Sequence, residues 1–162
     1  MKKSLDTSCQ DDKMYLAKTT DRLNEAVKRY PELAAYLSEL QFVFFEFYKQ
    51  DGRVIFLGHK KASIIQPELL RGKRVLNLHI GVLGRTDGLT VIWSAFHEWG
   101  HLKQPPQTEE IRTNPLLTYE REKEAWEIAE RKLRQFEAIK PLLPRFEAYR
   151  EICLKDYLDK II

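Results

Sequence analysis

Leu23, Ala26, Val27 and Tyr30 recur at helical spacing, with Thr19 or Thr20 standing where a cap would. The helix they predict ends at Tyr30, because Pro31 disfavours helix in the residue before it and suits the first turn of a new one. Leu33, Ala34, Leu37 and Leu40 predict a second, short helix over about 32–40. The period then changes. Phe42-Val43-Phe44-Phe45-Glu46-Phe47-Tyr48 is rich in residues that favour extended backbone and predicts a strand. Asp51-Gly52 predicts a two-residue hairpin turn, with Val54-Ile55-Phe56-Leu57 as the returning strand. Ile64 and Ile65 close this region before Pro67. Further on, Leu76, Leu78, Ile80 and Val82 alternate with Val75, Asn77, His79 and Gly81, which predicts a half-buried strand with one polar face.

A turn over 84–88 follows, in which Thr86 or Asp87 can cap the next helix. That helix carries Val91, Ile92, Trp93, Ala95, Phe96 and Trp99, apolar nearly all round as a buried helix is, and Pro105-Pro106 stop it. Residues 105–118 read as a polar loop. A long amphipathic helix is expected from about Thr118 to Ile139, broken by Pro141. Pro144 starts a last helix with Phe146, Tyr149, Ile152, Cys153 and Tyr157 along one side. The pattern predicts one α+β domain over residues 1–162, a small three-stranded twisted sheet packed with helices. Residues 1–12 are expected to be disordered, and 141–162 to form the C-terminal helix. There is no internal repeat and no low-complexity tract.

Composition narrows the class. Hydrophobic residues make up 43% and aromatics 11% of 162 residues, enough for a core and against wholesale disorder. A formal net charge of +3 does not by itself argue for nucleic acid, and Lys60-Lys61 and Arg71-Gly72-Lys73-Arg74 read as solvated turns. Cys9 and Cys153 lie near opposite ends with no Cys-x-x-Cys pair, which suits a reducing compartment. No apolar run follows the basic N-terminus, and none approaches the ~20 residues of a membrane span. A cytoplasmic protein without a membrane partner is expected.

The chemistry concentrates in His97-Glu98-Trp99-Gly100-His101. On a helix two histidines four apart lie about 40° apart on one face. That is a workable bite for one tetrahedral zinc, with Zn–N distances of about 2.0–2.1 Å. Glu98 flanks such an ion without ligating it. There it can take a proton from an attacking water and hand it to a leaving amine. On so apolar a helix, two imidazoles and a carboxylate need partners, and a metal supplies them. The pattern is H-E-x-x-H, the zinc-hydrolase motif.

A third protein ligand is required. His59 follows one expected strand and His79 sits in another, and each is better read as structural. The long helix offers more. Its buried stripe is Ala125, Trp126, Ala129, Leu133 and Phe136, and one turn back that stripe reaches Glu122. An inward carboxylate is costly unless paired or metal-bound. Glu122 is therefore the first candidate, with Glu124 as the alternative. Glu120 and Glu127 point aside or to solvent.

With Glu122-Lys123-Glu124-Ala125 about twenty residues after the histidines, the chain resembles the glutamate-type zincin metallopeptidases (gluzincins) over about residues 75–135. Among these it is most similar to the ImmA/IrrE-like peptidases and the single-domain minigluzincins. In the ImmA/IrrE-like run, Glu-x-x-Ala-Asn/Asp-x-Phe-Ala, this chain matches at Glu122, Ala125 and Ala129. It departs at Trp126 and Ile128. The polar residue lost at Trp126 would orient a histidine ligand in relatives.

The resemblance implies a zincin-like metallopeptidase core holding Zn2+ on His97, His101 and Glu122. It also implies that a peptide adds to an edge strand, here Val75 to Gly81. An oxyanion stabiliser is usual in such sites, for which His79, if it faces the cleft, or Tyr119, near its mouth, could serve. The implied activity is that of an intracellular regulatory protease cleaving a specific protein such as a transcriptional regulator. There is no helix-turn-helix to suggest direct contact with nucleic acid. The alternative is a catalytically silent or latent module that binds a protein partner, latency arising if the segment after Pro141 lies over the cleft. Cys9 as an inhibitory thiolate on the metal is a weaker idea still.

Overall fold

The computed structural model describes residues 5–57, 63–65, 75–79 and 88–162. They fall into two compact units, Met1–Ile92 and Trp93–Ile162.

In the first unit, α1 (Leu5–Arg29) runs straight through Thr19 and Thr20. Thr20 caps nothing; its Oγ1 donates to the Leu16 carbonyl at 3.0 Å, one turn back. A 3-10 turn (Pro31–Tyr36) leads into α2 (Leu37–Lys49). The expected strand Phe42–Tyr48 is therefore helix. Leu40, Val43, Phe44 and Phe47, at the i, i+3, i+4, i+7 positions of one face, are fully buried. Packing of that face, with Leu23, Ala26 and Leu33 also buried, outweighs the β preference of individual Phe and Val residues. Asp51-Gly52 ends a helix instead of joining two strands. Asp51 takes φ 56° and the Gly52 N–H returns 2.8 Å to the Phe47 carbonyl, closing α2.

Three short strands follow: β1 (Arg53–Leu57), β2 (Ser63–Ile65) and β3 (Val75–His79). β3 lies between the other two, parallel to β1 and antiparallel to β2. This corrects the edge-strand expectation over Val75–Asn77, which pair with β1 on one side and β2 on the other, so that stretch is not a free edge; Ile80 and Gly81 lie outside the described residues.

The fold-class expectation is corrected as well. The described chain is mostly helical, not an α+β zincin-like core organised on a sheet. Its strands span three to five residues, whereas its helices reach 25. The segment chosen as the leading strand contributes to the helical part. His59 and the capping candidates Thr86 and Asp87 lie outside the described residues, and the side chain of His79 does too.

α3 (Leu89–Leu102) begins at the end of the first unit and carries into the second. There α4 (Glu109–Thr113) and α5 (Pro115–Leu133) replace the expected loop and lengthen the glutamate helix at its start. Thr108 caps α4. The Asn114 side chain accepts from the N–H groups of Leu116 and Leu117, with Pro115 in the first turn. A 3-10 turn (Lys140–Leu142) precedes α6 (Leu143–Leu158). The core of this unit is aromatic. Trp93 meets Phe146 edge-on at 5.4 Å, Phe96 meets Phe136 at 5.8 Å, and Trp126 touches both Phe146 and Tyr149. Arg150 on α6 pairs with Glu130 on α5 at 2.6 Å. Among the described residues, no helix is long and apolar enough to cross a membrane.

Candidate metal centre

The site begins with a close approach of two helices. Gly100 lies inside the His97–His101 motif of α3. A Cβ there would stand 3.0 Å from the carbonyl carbon of Ala125 and 3.2 Å from its Cα, so only glycine lets the backbones meet. Glu122 is three residues before Ala125 on α5, on the same face, and the approach brings its carboxylate over the two histidines.

The three donors converge. Glu122 Oε2 is 3.0 Å from His97 Nε2, and Oε1 is 3.4 Å from His101 Nε2. The two Nε2 atoms are 3.1 Å apart. A tetrahedral ion with metal–ligand distances of about 2.0–2.1 Å keeps its donors about 3.3 Å apart, so this donor set fits a zinc-sized cation. Glu98, the next residue after His97, is buried at 7% exposure, and its charge acts on His101. Glu124 does not join the donors. It is exposed and accepts a hydrogen bond from Gln104 at 2.7 Å.

Electrostatics divide the two histidines. Burial dominates at His97 and pulls its pKa below 6.5, against the pull of Glu122. At His101 burial also opposes the charge. There it is outweighed by the hydrogen bond to Glu122, the charges of Glu122 and Glu98, and the bond to Gln104, so its pKa rises. Burial alone would raise the Glu122 pKa, but hydrogen bonds with His101 and His97 override it and hold the carboxyl at about 2. Glu122 is therefore a carboxylate at any ordinary pH, the form a metal needs.

The surroundings of the two rings differ too. The His97 imidazole stacks on the Trp126 indole, centroids 4.1 Å apart and planes 24° apart. His97 Nδ1 and Trp126 Nε1 are buried without a hydrogen-bond partner among the described residues. His101 Nδ1, by contrast, is bonded to Gln104 Oε1 at 2.7 Å.

Two neighbours were not legible as site residues. Gln104 follows the last turn of α3, and nothing in its spacing distinguishes it from a loop residue. Tyr157 on α6 reads in sequence as one more apolar-face position. Burial, then the negative charges of Glu122 and Glu98, push its pKa up to about 12, so its phenol keeps its proton. Tyr119 is half-buried on α5, and Cys9 is exposed on α1 in the other unit. Comparisons with protein-family models, curated proteins and solved structures find no match.

Proposed function

We propose that this chain is a zinc-dependent peptidase in which His97, His101 and Glu122 hold the metal and Glu98 moves the proton. The observation that carries this is the convergence of three donors within 3.0–3.4 Å beside the buried carboxylate of Glu98. A structural zinc is usually closed by four protein ligands, whereas three leave a position for substrate or water.

A zinc ion bound there supplies Lewis acidity, lowering the pKa of a water to about 7 and polarising a carbonyl. The rest is done by the chain. Glu122 contributes a permanent negative charge. Glu98 accepts a proton from the attacking water on a carboxylate oxygen and returns it to the amide nitrogen as the C–N bond breaks. The Tyr157 phenol, protonated at neutral pH, is a hydrogen-bond donor in the field of both carboxylates.

The likeness to gluzincins supports the peptide bond as the target and a specific intracellular protein as substrate. It rests on the motif residues and not on fold. The test is elemental analysis of protein never exposed to chelator, followed by incubation with a peptide mixture read by mass spectrometry. One zinc per chain and new termini that vanish with chelator support the reading; a chain that neither carries nor takes up zinc ends it.

One observation favours a second reading, a latent enzyme. Tyr157 comes from the C-terminal helix, and the charges of Glu122 and Glu98 act on its phenol, so that helix lies within electrostatic range of the site. Deleting α6 would remove the buried Leu143, Phe146 and Leu154 and unfold the unit, so a point variant separates the readings. Tyr157→Ala that raises cleavage supports latency; a fall assigns the phenol to the reaction.

A further inference from the structure

We propose that Gln104 is a positioning residue that fixes the tautomer of His101 and holds its Nε2 lone pair toward the donor cluster. The proposal rests on the metal reading above for its purpose, though not for its geometry.

Gln104 sits in the turn closing α3, where its N–H bonds the His101 carbonyl at 3.2 Å and Pro105-Pro106 follow. It is 5% exposed, a buried amide whose polar atoms all need partners. Three are present. Nε2 donates to the Arg121 carbonyl at 2.9 Å and to Glu124 Oε2 at 2.7 Å. Oε1 faces His101 Nδ1 at 2.7 Å.

The orientation of the amide follows from chemistry. A peptide carbonyl and a carboxylate accept and cannot donate, so the nitrogen must face them. Turning the amide over would set oxygen against two acceptors and cost both bonds. With Oε1 thus facing the ring, His101 Nδ1 must carry hydrogen. The neutral imidazole then has its lone pair on Nε2, the atom facing His97 and Glu122. His97 has no corresponding anchor on Nδ1. Gln104 thus pre-sets one ligand of the pair, and it ties that ligand to the helix that carries the third, because both its nitrogen partners belong to α5. The Arg121 side chain adds a parallel tie, donating to the Pro105 carbonyl at 2.9 Å.

The test is ring-nitrogen NMR on histidine-labelled, metal-free protein, at an alkaline pH beyond which the His101 shifts no longer change and the ring is neutral. His101 is expected with its proton on Nδ1. Gln104→Met, of similar length and without hydrogen-bonding groups, is expected to shift the ring toward the Nε2–H form and to weaken zinc about 10–100-fold in a competition titration. A purely structural amide would leave the tautomer unmoved. Finding the wild-type His101 proton on Nε2 overturns the proposal. So does a folded Gln104→Met protein with unchanged tautomer. If the wild type takes up no zinc, the peptidase reading fails while the tautomer still decides the role of Gln104.

Discussion

The His97 imidazole lies nearly flat on the Trp126 indole, 4.1 Å between centroids. Zinc on His97 places positive charge next to that ring, so tryptophan emission is expected to fall as zinc is added. Trp126→Phe keeps an aromatic surface under His97 and should abolish most of the change, although Trp93 and Trp99 remain. A quench undiminished in that variant would place the metal elsewhere. Emission against added zinc, in wild type and variant, is the measurement.

Gly100 gives a prediction whose sign is informative. In a helix with open space on that side, Gly→Ala stabilises by about 0.5–1 kcal/mol. Against the Ala125 backbone, an added methyl must push α3 and α5 apart. Gly100→Ala is therefore expected to destabilise by about 1–3 kcal/mol, as overpacking does, and to weaken zinc because Glu122 rides on α5. Urea unfolding and zinc titration read both effects. A stabilised variant would show that the helices do not approach here.

The two carboxylates of α5 should separate cleanly. Glu122→Ala removes one of three converging donors and should abolish tight zinc binding. Glu124→Ala removes only a partner of Gln104 and should leave zinc stoichiometry at one per chain. Metal content after dialysis decides. Loss of zinc in the Glu124 variant alone would reverse the assignment.

The pH dependence of stability should differ between metal-free and zinc-loaded protein. In the metal-free chain His101 has a raised pKa, so its contribution is present below 6.5 and is lost as pH rises through the folded value. His97 has a lowered pKa and works oppositely: stability falls as pH drops below 6.5, where the unfolded chain takes up a proton that the folded one resists. Glu122 loses its contribution between 4.5 and about 2. Metal-free protein should therefore be most stable near pH 6.5 and less so on either side. With zinc bound, protons compete for both imidazoles, so stability should rise from acid to neutral pH and not decline by pH 8. Calorimetric scans across this range, with and without zinc, are the check; parallel profiles would contradict the site.

The candidate site was more legible than the fold. Two histidines four apart and an inward glutamate are local statements about a helix face, and α3 and α5 are helices. Of the expected stripe, Ala125, Trp126, Ala129 and Leu133 are buried on α5, whereas Phe136 is half-buried beyond the helix, which ends at Leu133 and not at Ile139. The fold failed where propensity was weighed above period. Leu40, Val43, Phe44 and Phe47 keep helical spacing through a run of β-favouring residues, and burial chose the helix. Asp51-Gly52 reads as a hairpin turn, yet Asp51 takes its positive φ to close a helix. The order of β1, β3 and β2 depends on pairings between distant residues, and no local pattern encodes it. Gln104 and Tyr157 come under the influence of the site only once α3, α5 and α6 are packed, so no local pattern marks them.

Glu98→Gln tests the central claim most directly. The amide nearly matches the carboxylate in shape but cannot accept the proton, so folding and one zinc per chain should persist. Peptide cleavage should fall by about 10²–10⁴-fold. The measurement is turnover of a cleaved peptide by zinc-loaded wild type and variant, with metal content determined on the same samples. Equal turnover at equal zinc would contradict the assignment of Glu98 and, with it, the account of this site as a peptidase centre.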